Sequence, residues 1–181
     1  GEWAATPATA HLFRASKSAP GASTEVHSQP HRIRHIVSDG TTLYFSDTNG
    51  TINRMPVAGG PIETQLDFGT NAWGLALADG LVYWRGSSSV LSAPADGGSV
   101  SELFPGQASP GGIASSDQLV FWTTGSSVVS GDPVTKLQRT LAAMKTSSRG
   151  ITVDAEFVYW TTFTAYGDKT GGAFRVRRPP P

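Results

Sequence analysis

The chain has no cysteine. That excludes disulfide staples, thiol catalysis and any zinc site built on cysteine, while leaving the compartment open. It has no surplus of charge of either sign. Fourteen Lys and Arg balance fourteen Asp and Glu, so net charge directs the chain neither to nucleic acid nor to an anionic membrane. No apolar run approaches the roughly 20 residues that a membrane-spanning helix needs. No nucleophile elbow, phosphate-binding loop, paired-carboxylate setting or metal-ligand cluster stands out. No initiator methionine and no signal-peptide pattern occur at Gly1. The chain opens in mid-pattern, so a processed or truncated piece is expected.

What is abundant is turn chemistry, with 21 Gly and 12 Pro, and a repeat. Its copies are RHIVSDGTTLYFSD (Arg34 to Asp47), GLALADGLVYWRG (Gly74 to Gly86), GIASSDQLVFWTT (Gly112 to Thr124) and GITVDAEFVYWTT (Gly150 to Thr162). The aromatics Tyr44, Tyr83, Phe121 and Tyr159 fall 39, 38 and 38 residues apart. Ile36, Leu75, Ile113 and Ile151, eight residues earlier in each copy, keep the same steps. A period near 40 made of short strands is the sequence signature of a β-propeller blade.

Within a copy, Ile151 and Val153 alternate with Thr152 and Asp154, as a strand with one apolar side requires. The next strand, Phe157 to Trp160, is apolar on both sides and needs both faces covered. Asp39-Gly40 and Asp79-Gly80 mark hairpin turns, where glycine tolerates positive φ. The signal weakens at Asp117-Gln118 and Ala155-Glu156. Third and fourth strands follow at Thr51 to Pro56 and Ile62 to Leu66, then at Val90 to Pro94 and Val100 to Phe104.

Each repeat is therefore read as a four-stranded antiparallel sheet, A to D. The fold class is all-β: a propeller with about five blades represented, in one domain spanning 1–181. The blades run 1–33 (partial), 34–70, 71–109, 110–147 and 148–181 (partial). Glu2 to Thr6 reads as the first repeat's B strand, with Trp3 near the position of Phe45; Leu12 to Ala15 and Ser23 to Val26 supply C and D. The fifth repeat supplies A, B and a C strand at Phe174 to Arg177. Eighteen strands result, and the expectation is an open arc of a six-bladed propeller, with self-association through its open blade edges. The blade count of an intact parent stays open.

The B-strand motif (LYFSD, LVYWRG, LVFWTT, FVYWTT), with the following Ile52, Arg54 and Pro56, resembles the YWTD-repeat propellers of the low-density lipoprotein receptor family. Bacterial secreted propellers carry similar repeats, often with a Gly pair after the proline as in Gly59-Gly60. The resemblance implies a propeller, an extracellular or periplasmic setting and a binding role. Departures limit it. Only Asp47 keeps the motif's aspartate, while Gly86, Thr124 and Thr162 take the matching places. Arg14, Arg54 and Arg175 fill the C-strand arginine position, and Ser92 and Ser130 replace it elsewhere. No ligand-binding residue of the receptors is carried over.

In such propellers the D–A and B–C loops gather on one face, the default ligand surface. Candidates there are Trp73, an indole able to stack on a sugar or an aromatic ligand, and Arg85 and Arg149, able to grip a carboxylate bidentately. Blander readings are an indole packed between blades and solvated arginines. The lengthened loop Thr161 to Gly172 adds Tyr166, Asp168 and Lys169. His27, His31 and His35 recur every fourth residue and invite a weak metal reading, but Pro30 separates them on an expected loop. Arg175, Arg177 and Arg178 form a cluster too short for nucleic-acid binding.

The function read from the sequence is a non-catalytic binding or scaffold segment that contacts a protein, peptide or glycan through the loop face, without a cofactor. The alternatives are part of a propeller lyase or hydrolase, metal-dependent or not, and a structural self-assembling unit.

Overall fold

The structure, a computed structural model, describes residues 9–19, 21–67, 72–109, 111–116, 118–144, 146–163 and 171–180. Seventeen strands are placed, and no helix occurs among the described residues. The chain divides into two compact units, residues 1–71 and 72–181.

The first unit holds a two-stranded sheet, β1 (Ala10–Ala15) and β2 (Ser23–Gln29), and a four-stranded meander. The meander is β3 (Ile33–Ser38), β4 (Thr42–Asp47), β5 (Thr51–Pro56) and β6 (Thr64–Asp67). The expected B strand at Glu2 to Thr6 lies outside the described residues. Phe45, Ile52 and Met55 are buried, and the His27 ring tilts over Phe45 at 5.4 Å.

The second unit stacks three sheets. They are β7 (Trp73–Ala78) to β10 (Ser101–Phe104) through β8 (Leu81–Arg85) and β9 (Val90–Pro94), then β11 (Ile113–Ser116) to β14 (Gln138–Ala143) through β12 (Leu119–Thr123) and β13 (Ser127–Gly131). The last is β15 (Ser148–Val153), β16 (Phe157–Thr162) and β17 (Gly172–Arg177). Every strand pair in these sheets is antiparallel and consecutive in sequence.

The doubly apolar second strands are explained by this stacking. Tyr83, Val90, Leu103 and Phe104 pack against Ile113, Val120, Trp122 and Val129 of the next sheet. Phe121 and Val128 meet Val158 and Trp160 one sheet further on. Burying an aromatic side chain of this kind contributes roughly 1.5–3 kcal/mol. In β16, Val158 and Trp160 are buried whereas Phe157 and Tyr159 are only half-buried.

Gly40 and Gly80 take φ of 97° and 71°, as the turn signal required. Where that signal weakens, other devices close the turn. Gln118 itself adopts φ 44°. At the last turn Asp154 Oδ1 accepts the Glu156 and Phe157 amides at 2.8 and 2.7 Å, the same bracing that Asp39 Oδ1 gives Thr41 and Thr42. A carboxylate that satisfies turn amides does the work that positive φ does elsewhere.

Candidate functional site

Two of the sequence candidates meet. Trp73 and Arg85 are register partners at the loop end of the β7–β8 hairpin, and the Arg85 guanidinium carbon stands 5.3 Å from the indole centroid. A register shift between Trp73 and Leu75, with Gly74 at φ 72°, marks a β-bulge of the glycine type, which re-aims the side chain beside it. Both residues are half-buried. An arginine over an indole face is a cation–π pair, held by the ring quadrupole.

The expected placement of these residues on loops needs correction. Trp73 opens β7, Arg85 closes β8 and the Arg149 backbone belongs to β15, because the ladders run one or two residues further than the apolar pattern does. The same holds for β17, which starts at Gly172 rather than Phe174. Tyr166, Asp168 and Lys169 lie outside the described residues.

His27 lies in β2 and His35 in β3, leaving only His31 on the connecting turn, because β2 extends to Gln29 instead of stopping near Val26. His27 Nε2 is 3.4 Å from Gln29 Oε1, and Gln29 Nε2 donates to the His31 carbonyl at 2.9 Å. Among the described residues no group of three His, Cys, Asp or Glu side chains is gathered to hold a metal ion.

Sequence reading missed Gln107. Its Nε2 donates to Gln138 Oε1 at 3.0 Å and its Oε1 accepts the Trp122 indole N–H at 2.9 Å. It thus ties the connection after β10 to the next sheet. A glutamine in a polar loop gives no sequence signal for this.

A second recurring arrangement lies at the opposite end of the hairpins. Tyr44 Oη donates to Asp39 at 3.5 Å and opposes Arg54 across β4–β5. Arg54 Nε and Nη2 also reach Glu63 Oε2, each at 3.2 Å. Tyr159 Oη donates to Asp154 Oδ2 at 2.8 Å and opposes Arg175 across β16–β17. Burial raises the Tyr44 hydroxyl's pKa above its usual value, and the bond to Asp154 raises that of Tyr159. In both, the facing arginine pulls the other way. Tyr83 opposes Ser92 instead; burial first, then the Asp79 charge, push it up to about 12.

The Asp47 carboxylate is 2% exposed. It accepts from the amides of Asn49 and Thr51, from Thr51 Oγ1 and from Asn53 Nδ2. Desolvation opposes its charge, but these four donors hold its pKa below the usual carboxylate value. Its role is to build the β4–β5 turn.

Solved structures share this architecture. A chain from a nidogen/laminin complex matches with TM-score 0.57 and 25% identity, over 67% of this chain and 52% of that one. A putative TolB from Agrobacterium tumefaciens gives TM-score 0.66 at 17% identity, over 86% and 62% respectively. The fold is a β-propeller. Myxococcus xanthus glutaminyl cyclase also matches this propeller, with TM-score 0.58 and 13% identity over 94% of this chain and 83% of that one. The chain spans about half the length of the nidogen/laminin chain it matches. No protein-family model matches the propeller sequence, and no curated protein does. No helix among the described residues is long and apolar enough to cross a membrane.

Proposed function

We propose that this chain is a non-catalytic binding segment of a YWTD-type propeller, working outside the cytoplasm. Its ligand is a protein, peptide or glycan that carries a carboxylate, and it docks at the loop end of sheet β7–β10. The observation that carries the reading is the Trp73–Arg85 pair. An indole offers an apolar plane for a sugar ring or an aromatic side chain, and a guanidinium beside it offers a planar fork for a carboxylate. Arg149, Tyr166, Asp168 and Lys169 are proposed to extend the same surface. The likeness to a chain from a nidogen/laminin complex supports a partner that is itself a protein.

The test is to screen the full chain on arrays of acidic glycans and peptides, then measure the best binder by calorimetry against Trp73→Ala, Arg85→Ala and Arg85→Lys. Each should lose about tenfold or more in affinity, the lysine variant included, because an ammonium cannot reproduce the fork. Unfolding midpoints should stay near that of the parent. A ligand whose affinity survives both alanine variants removes this site from the function.

A further inference from the structure

Two of the sheets set a tyrosine between a carboxylate and a guanidinium. Asp39 and Arg54 flank Tyr44, and Asp154 and Arg175 flank Tyr159. Sheet β7–β10 repeats the frame with Asp79 and Tyr83, but the position opposite the tyrosine is Ser92. A cleft of about 810 Å³ opens at that place, between this sheet and the next. Tyr83, Ser92 and Leu103 form its buried floor, with Asp79 and Ser101 at the rim. Sheet β11–β14 also carries serine, at Ser130, but opposes it to Phe121, so no phenol faces it there. A serine therefore faces a tyrosine in one sheet alone of the four whose second strands are described.

Asp132 and Lys136 also line the cleft, and their local hydrogen bonds orient them without cancelling their charges. Asp132 accepts from the Val134 and Thr135 amides and the Thr135 hydroxyl, and Lys136 Nζ donates to the Pro133 carbonyl at 2.6 Å. Asp79 is the carboxylate whose charge reaches Tyr83. The cleft thus offers two carboxylates against one ammonium, with a phenol oxygen and serine hydroxyls, around the register position that carries an arginine in the sister sheets.

We propose that this cleft receives the guanidinium of an arginine side chain from a partner polypeptide. A planar group with five donors matches acceptors arrayed in this way better than a compact ammonium does. The site lies at the end of sheet β7–β10 opposite Trp73 and Arg85, and its failure would leave the loop-end reading untouched.

The experiment titrates the full chain with N-acetyl-arginine amide, with N-acetyl-lysine amide and with short peptides that carry one arginine between apolar residues. Tyrosine ring resonances report occupancy. The arginine amide should bind saturably and at least about fivefold tighter than the lysine amide, and the best peptide should bind tighter still. Ser92→Arg should fill the cleft from within and abolish binding while the far-UV spectrum and unfolding midpoint hold. Should that variant fail to fold, Asp79→Asn, at an exposed turn, keeps the test sharp and should weaken binding at least about threefold. Four results would each overturn the proposal: no saturable binding, binding that persists in Ser92→Arg or is unchanged in Asp79→Asn, equal affinity for the lysine amide, or no peptide stronger than the free amide.

Discussion

Replacing Asp47 by alanine tests the account of the β4–β5 turn most directly. The carboxylate is 2% exposed and takes four donors, two from backbone and two from side chains. Hydrogen bonds to a charged group contribute about 1.5–3 kcal/mol each, and a buried donor left without a partner costs about 1–3 kcal/mol. The contributions do not add, and losing the carboxylate also relieves its desolvation. Asn53 Nδ2 keeps a bond to Thr51 Oγ1 at 3.2 Å, which softens the loss. A net destabilisation of about 3 kcal/mol is expected for Asp47→Ala, and about half that for Asp47→Asn, which keeps an acceptor but loses the charge. Urea unfolding gives the total, and amide exchange at Asn49 and Thr51 gives the local effect, at least about tenfold faster in the alanine variant. The sign with pH follows from the depressed native pKa. The parent's advantage over Asp47→Asn is full above the unfolded carboxyl pKa of about 3.9. It disappears as pH falls through the lower native value. An alanine variant within about 0.5 kcal/mol of the parent, or unchanged exchange at those two amides, would refute the reasoning.

Three further outcomes follow from the same geometry. Gly131→Ala places a Cβ within 2.8 Å of Phe104 and Trp122 ring atoms, whose rings stack at 4.9 Å; overpacking should cost about 1–3 kcal/mol and change the near-UV aromatic spectrum. Asp154→Ala removes the acceptor for two turn amides and the Tyr159 hydroxyl, so the Glu156 and Phe157 amides should exchange faster and the Tyr159 pKa should fall, read by ultraviolet titration. In the same titration Tyr83 should ionise near 12 in the parent and lower in Asp79→Asn, since one of the two causes holding it up is gone.

The architecture was legible because its determinants are local and repeated. A Gly at the turn and an apolar second strand signal a hairpin that needs cover on both faces, a need met in β8 and β12 and on one face only in β16. The third turn closes without glycine because Gln118 takes positive φ, and the fourth because Asp154 satisfies the amides. A reading tuned to Asp-Gly sees neither. At the candidate site, Trp73 and Arg85 were each visible as residue types. Their pairing depends on the bulge at Gly74, which apolar periodicity does not encode. The Arg-to-Ser exchange at Ser92 was visible as a departure from pattern, but its meaning came from the cleft between two sheets. Gln107 gave no signal, since its partners Trp122 and Gln138 lie 15 and 31 residues away.

The interlock between sheets also has a bearing on synthesis. Tyr83 shares its core with Val120 and Trp122, and Phe121 with Val158 and Trp160, each about one repeat later in the chain. A sheet leaving the ribosome therefore carries a bare aromatic face until its successor emerges. At 5–20 residues per second, a repeat of about 40 residues keeps that face open for some two to eight seconds. In the second unit each later sheet covers the one made before it, and the interval of greatest exposure to aggregation is set by translation speed rather than by the folding of any single hairpin.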